Sequence, residues 1–462
     1  MRGIFNTGLP AVFASFNPIL TEKKRRDSKM TTNARLNVLS NREKLLKEEN
    51  SVVAFHMKSW KHAFLQQFFP NKRFHFVDPF ISERAFHREV APLIHSGEKP
   101  QVFVWSQNLP DFARAQIEAA GLEIYYIEDG FIRSREAHAG YSSPYSLTLD
   151  RQRPYFDSRG ASDLEDLLAN YDFEHDTALM ERARQGISAI RERRLTKYNG
   201  TVRELDELAG GSAQTGRKRI LVIGQVEDDA SIRFGCDRPF SNNDLVRLAA
   251  SENPDAVILY KPHPDVLSGV RKGLSNPDEV AHLCTILTGQ IPLPDALDRV
   301  DHVYTITSLA GFEALMRGKP VTVGGSPFYA GWGLTDDRQP IPRRGRTLSL
   351  EAIFAATYLL YPYYFNAETG QSCSFERVLE LVAAPEASGA ATLSTMAVKW
   401  EPWGRYGVLG WRHLLTPIVA LFVARIGSPK DAERYRLNPA MFFRDLNSPL
   451  QRRIGRLLYP WH

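Results

Sequence analysis

The sequence predicts an α/β protein made of two doubly wound, Rossmann-like domains that face one another. Three observations carry this expectation. Two blocks alternate short apolar runs with helical periods, a Gly/Ser-rich stretch separates them, and polar clusters recur just after the predicted strands. In open parallel sheets ligands bind beyond the carboxyl ends of the strands, so those clusters form the candidate site.

In the first block, Gln101 to Trp105 is a continuous apolar run that reads as a buried strand. Asp111 to Ala120 carries a helical period closed by Gly121, and Leu122 to Ile127 reads as the next strand. The stretch Ala209 to Gly216 reads as a linker. Beyond it, Arg219 to Ile223 is a strand, and Asn242 to Ser251 is a helix behind a Ser241 cap. Ala256 to Tyr260 is a strand after an Asn253-Pro254-Asp255 turn, and Val303 to Ile306 is another. Ala310 to Arg317 is a helix stopped by Gly318, and Pro320 to Val323 is a final strand. The expected division is a poorly ordered basic extension 1–50, a first domain 51–208, a linker 209–217, a second domain 218–385 and a basic, aromatic extension 386–462.

Composition narrows the classes. With 462 residues, 43% hydrophobic and 24% charged, the chain is of ordinary globular type, not collagenous or disordered. Its 3 cysteines, Cys236, Cys284 and Cys373, show no CxxC spacing, which disfavours a disulfide framework or a cysteine zinc site and favours a reducing compartment. Residues 1–50 hold ten Lys/Arg against five Asp/Glu, and residues 399–462 hold eleven against four. The net charge of the whole is only +5, so the body between them is net acidic. Basic ends on an acidic body suit an anionic membrane leaflet better than a nucleic-acid channel. The longest apolar run, Leu414 to Ala424, includes Thr416 and Pro417 and falls short of the roughly 20 residues of a spanning helix. The expected location is the cytoplasm, with peripheral contact at the inner-membrane surface left open.

Four clusters follow predicted strands. Glu128-Asp129-Gly130-Phe131-Ile132-Arg133-Ser134 reads either as acid/base carboxylates at the mouth of a sheet or as an Asp-Gly turn with Arg133 paired to a carboxylate. In Gly224-Gln225-Val226-Glu227-Asp228-Asp229-Ala230-Ser231, three adjacent carboxylates repel one another, unless the loop is simply solvated. No histidine stands at ligand spacing, which disfavours a metal cage. In Tyr260-Lys261-Pro262-His263-Pro264-Asp265, two prolines stiffen the backbone around a histidine beside a cation, which suits a phosphate diester. In Thr307-Ser308-Leu309-Ala310-Gly311-Phe312-Glu313, hydroxyls at a helix start form an anion site, and Glu313 can reach a ribose diol, unless Ser308 is only a cap. No GxxxxGK[ST] occurs, so ATP hydrolysis is not expected.

These clusters, with Gly318-Lys319-Pro320-Val321 and Ser326-Pro327-Phe328-Tyr329-Ala330-Gly331-Trp332-Gly333-Leu334-Thr335-Asp336-Asp337, resemble the ordered motif set of the bacterial capsular-polysaccharide β-Kdo glycosyltransferases. The resemblance spans about residues 100–385. It implies a GT-B fold, CMP-Kdo as donor, transfer to a lipid-linked or oligosaccharide acceptor with retention of anomeric configuration, and no cofactor or metal. Kdo carries its own carboxylate.

By position, the resemblance makes Asp229 the nucleophile and Glu128 or Asp129 the opposing acid/base. Gln225, Lys261, His263, Pro264, Thr307, Ser308, Gly311 and Glu313 become the nucleotide-binding set, with His263 and Ser308 on the phosphate and Glu313 on the ribose. Arg133, Asp228, Trp332 and Asp336 fall on the substrate side, and Lys261 or Arg133 would neutralise the Kdo carboxylate. Long members of the family carry two transferase modules and this chain has one. Its segment Arg135 to Ser143 also departs from the family pattern, which leaves the acceptor open. Two alternatives stand beside this reading: another CMP-nonulosonate donor, or a non-catalytic carbohydrate-binding factor of capsule assembly or export. The tail, with Trp400, Trp403, Trp411 and Trp461, reads either as an interfacial docking segment or as a helix packing back across the first domain.

Overall fold

A computed structural model describes residues 42–136, 141–199, 216–267, 273–289, 291–384 and 416–460. Most of the expected extension 1–50, most of the linker and the first part of the tail therefore lie outside the described residues.

The first sheet holds β1 (Asn50–Phe55), β2 (Lys72–Phe76), β3 (Gln101–Trp105), β4 (Ile124–Asp129) and β5 (Ser146–Asp150). The second holds β6 (Arg219–Ile223), β7 (Val257–Lys261), β8 (Thr285–Ile286), β9 (His302–Thr305), β10 (Val321–Val323) and β11 (Asp336–Asp337). A last strand, β12 (Tyr363–Tyr364), returns to the first sheet, whose order is β12-β5-β4-β3-β1-β2. There β1 to β4 run parallel, while β5 and β12 are antiparallel to their neighbours. The second sheet, β11-β10-β9-β6-β7-β8, is parallel throughout. Val52, Ala54, Val102, Val104, Ile220 and Val222 are wholly buried, as strands covered by helices on both faces require. The expectation of two Rossmann-like α/β sheets holds, and the GT-B architecture with it.

Strand order reverses between β1 and β3 in the first sheet and between β6 and β9 in the second. These are the two crevices where ligands collect in such folds.

The division at residue 385 needs correction. Tyr363 and Tyr364 pair with Leu147 and Ser146 of β5, so the end of the expected second domain completes the first sheet. One apolar core joins the lobes, running from Phe131, Leu164 and Leu179 through Phe312, Tyr329 and Trp332 to Phe354 and Phe375.

The described tail consists of four helices, Thr416–Ile426, Pro429–Leu437, Pro439–Arg444 and Pro449–Leu458, gathered on Ala420, Ala432, Tyr435, Phe442 and Tyr459. It packs back on the first lobe: the Asp445 carboxylate accepts from Ser59 N at 2.7 Å and Ser59 Oγ at 2.6 Å, and Lys58 Nζ donates to Asn447 at 3.2 Å. Among the described residues no helix is long and apolar enough to cross a membrane.

Candidate active site

The first crevice gathers charge. β4 extends two residues past its expected end, so Glu128 and Asp129 are the last strand residues, each opposite a β5 residue, Thr148 and Leu147. Gly130 is not a left-handed turn residue. A Cβ there would lie 2.3 Å from Ser146 Oγ, so glycine is needed where β5 crosses close by. After β1, a short 3-10 helix carries Lys61 inward, where its Nζ sits 2.7 Å from the Trp105 ring centre. After β3, Ser106 adopts φ +57° and hydrogen-bonds the Glu128 carboxyl.

Neighbouring charges separate the two carboxyls. Desolvation and the neighbouring Asp129 charge push Glu128 up to about 7, against opposing pulls from Ser106, Lys61 and Lys197. Asp129 feels the same desolvation, but Arg133, Lys61 and Lys197 outweigh it and hold the group below the ordinary aspartate value. Arg133 Nε approaches Asp129 Oδ2 at 3.4 Å, while among the described residues the buried Oδ1 has no hydrogen-bond partner. Burial lowers Lys61 to about 7, offset in part by both carboxylates. A carboxyl that holds its proton near neutrality thus stands beside one that stays ionised with a free oxygen.

The second crevice is built from hydroxyls, amides and backbone. Gln225 follows β6 and Thr307 follows β9. Gln225 Nε2 donates to Thr307 Oγ1 at 3.1 Å, and its Oε1 accepts from Thr307 N at 2.8 Å. Ser308 caps the helix Leu309–Leu315, accepting from Ala310 N at 3.2 Å, while Tyr329 Oη donates to the Ser308 carbonyl at 2.6 Å. A Cβ on Gly311 would meet Tyr329 Oη at 2.2 Å, so this glycine makes room for that ring. Lys261 ends β7 with its pKa lowered by burial, and among the described residues no carboxylate pairs with it. His263 follows after Pro262, and Pro264 opens the short helix Pro264–Leu267.

Lys197 ties the crevices together. Its N–H donates to Glu313 Oε1 at 2.9 Å, and its carbonyl accepts from Arg133 N at 2.9 Å and Ser134 N at 3.3 Å. Desolvation opposes the charge on its ammonium, yet Tyr155, Tyr198, Asp129 and Glu128 raise its pKa on balance. Phe131, Tyr155, Phe312, Phe328 and Tyr358 form one aromatic cluster beneath both crevices. The Glu128–Arg133 and Thr307–Glu313 segments therefore meet in one place.

Several expected site residues have other work. Asp229 is exposed and caps the helix Ala230–Gly235, accepting from Ser231 Oγ at 2.7 Å and Ser231 N at 3.2 Å. Asp228 is exposed beside it. The neighbouring Glu227 accepts from Asn242 N and Ser275 N, both at 2.7 Å, which relieves the crowding of three carboxylates. Arg133 is fully buried and spends its other nitrogens on Ser142, at 3.0 Å to Oγ and 2.6 Å to the carbonyl, so it positions Asp129 and has no open side for a sugar acid. Trp332 is fully buried, its Nε1 bonded to Phe328 O at 2.9 Å, and is a core residue. Asp336 lies on edge strand β11 and pairs with Arg338 at 2.6 Å. Glu313 is buried and held near 7 by desolvation against Arg317 and Lys197, and one of its oxygens serves the interlobe clamp.

Lys61, Ser106, Tyr155 and Lys197 were missed in the sequence. The apolar run Val52 to Phe55 marks β1 and points to Lys61 just beyond it. Nothing local marks Lys197.

Residues 101–364 match the family described as capsule polysaccharide biosynthesis protein. The chain is 43% identical over 334 residues to the lipopolysaccharide-processing protein LpsZ of Rhizobium meliloti, covering 72% of this chain and 74% of that one. It is 37% identical to the capsule polysaccharide modification protein LipA of Neisseria meningitidis over 71% of its own length, but spans only 44% of that longer relative. Two solved structures of KpsC from Thermosulfurimonas dismutans are similar. The β-Kdo 2,4 transferase has TM-score 0.60 and 30% identity, covering 73% of this chain and 99% of that one. The β-Kdo 2,7 transferase has TM-score 0.55 and 32% identity, covering 72% and 98%.

Proposed function

Because the chain belongs to the capsule polysaccharide biosynthesis protein family, we infer that its site transfers Kdo from CMP-Kdo to a glycan or lipid-linked acceptor, with retention. The observation that carries this reading is the pair Glu128 and Asp129, whose ionisations are pushed apart at one crevice while Lys197 ties them to the hydroxyl-capped helix of the other.

The chemistry runs in two displacements. The donor's cytidylate lies against Lys261, His263 and the N-terminal turn of Leu309–Leu315, where a cation and the positive end of the helix dipole meet its phosphate. Asp129, ionised and with Oδ1 unpartnered, attacks the anomeric carbon. A carbon–oxygen bond to the aspartate forms as the bond to the phosphate oxygen breaks, and CMP leaves with the electron pair. The acceptor hydroxyl then attacks the same carbon from the opposite side, releasing Asp129 and giving its proton to Glu128. Two inversions retain the configuration. Glu128 needs a pKa near the working pH to accept that proton and later discharge it, and burial supplies one. On this reading both carboxylates sit on the acceptor-side lobe, and Asp229 caps the helix Ala230–Gly235 of the other.

The test is to incubate the protein with CMP-Kdo without acceptor and map modified peptides by mass spectrometry. One Kdo on the peptide bearing Asp129 is the expected result. Full turnover with no adduct on any carboxylate would overturn the two-step route, and stabilisation by UDP but not CMP would overturn the donor.

A further inference from the structure

We propose that the C-terminal helical cap is a docking surface for an anionic lipid bilayer, which it engages without spanning. The helix Thr416–Ile426 turns Val419, Ala420 and Val423 onto its neighbours and leaves Ile418, Leu421, Phe422 and Ile426 outward, at spacings of three and four residues. Leu421 is 66% exposed and Ile426 82%. The helix Pro449–Leu458 repeats the arrangement: Gly455 is buried against Phe443, while Leu450, Ile454, Leu457 and Leu458 face out. Scattered exposed leucines are ordinary, but two outward apolar stripes within 45 residues are not.

Charge selects the occupant. Residues 416–460 hold eight Lys/Arg against three Asp/Glu. Two of the three acids are engaged internally, Asp431 by Ser428 at 2.7 Å and by Tyr141, and Asp445 by Ser59 and Arg434. Neither apolar helix contains an acidic residue, and Arg425, Arg453 and Arg456 are exposed on them. Apolar residues that insert at the headgroup boundary, flanked by arginines, fit an anionic membrane surface.

The cap is also fastened beside the carboxylates. Lys430 pairs with Glu136 at 3.0 Å, and Arg434 stacks 4.2 Å over the Tyr141 ring. Tyr141 meets Trp60 edge-on at 5.7 Å, and Lys61 Nζ lies 4.7 Å from the Trp60 ring. The cap is therefore joined to the lobe that carries the carboxylates. That an acceptor arrives on that bilayer rests on the transferase reading, whereas the docking itself does not.

The experiment is flotation of the full chain with phosphatidylcholine vesicles, with and without phosphatidylserine, using neither donor nor acceptor, so that it fails independently of the chemistry. The wild type is expected to float with anionic vesicles only. Leu421→Glu with Phe422→Glu should lower partitioning by about tenfold or more, and Arg453→Gln with Arg456→Gln by a few-fold per charge, with unchanged melting temperatures. Equal partitioning of all variants would overturn the proposal. So would a dimer that Phe422→Glu dissociates, which would make the stripe a self-association face. A large fall in melting temperature with unaltered flotation would also overturn it, because another part of the chain would then cover the stripe.

Discussion

The two crevices use opposite physics. The first concentrates five charged groups, Lys61, Glu128, Asp129, Arg133 and Lys197, in a desolvated space where each perturbs the others. The second offers Gln225, Thr307, Ser308 and a helix start, neutral groups satisfied by one another, with Lys261 as its cation. Charges held out of water cost stability and are kept where their ionisation does chemistry. Neutral dipoles cost little and suit recognition of a fixed anion. On the proposed reading, bonds change at the first crevice and the second holds the leaving group.

Substitutions can break that contrast. Asp129→Asn removes the proposed nucleophile and should lower kcat by roughly 10⁴ or more in a CMP-release assay; activity within tenfold of wild type would move the chemistry elsewhere.

Glu128→Gln should lower kcat by about 10²–10³. In the wild type, the acceptor step should speed up as pH rises through about 7, because the base form is needed, and the variant should lose that limb. The same group sets a stability trend. Its folded pKa lies above its ordinary value of 4.5, so its contribution to stability is full below about 4.5 and is lost as pH rises through 7. Glu128→Gln should therefore melt higher than wild type at alkaline pH, as measured by calorimetry.

On the recognition side, Lys261→Ala should weaken CMP binding by roughly tenfold while leaving the pH profile in place, a change that isothermal titration would resolve. The smallest effect is expected at Asp229. Asp229→Ala should cost about 1 kcal/mol of stability through the lost helix cap and leave kcat within a few-fold. Loss of turnover at unchanged melting temperature would restore the nucleophile expected from the sequence.

How far the site could be read in advance follows from where its parts sit in the chain. Clusters at strand ends were legible because a strand and its exit are local: Thr307 and Ser308 follow β9 as periodicity placed them, and Glu128, Asp129 and Lys261 fall within two residues of the expected strand ends. Strand boundaries slipped by one or two residues, and at β4 the slip mattered, since it put the carboxylates inside the ladder. At Asp229 the string leaves a capping aspartate and a catalytic one alike, and the structure adds that it caps Ala230–Gly235 from an exposed position. Trp332 reads as a contact residue until a core closes over it, and of the two readings of Arg133 the structure shows the pairing with a carboxylate. Lys197 and β12 were out of reach, since their partners lie 116 residues away at Glu313 and more than 200 residues away in β5.

The return of β12 to the first sheet has a consequence for synthesis. The strands of the second sheet all lie between β5 and β12 in the chain, so β5 waits for Tyr363 and Tyr364 to emerge before its outer edge is covered. On the ribosome, then, the first sheet is completed only after every strand of the second has been made.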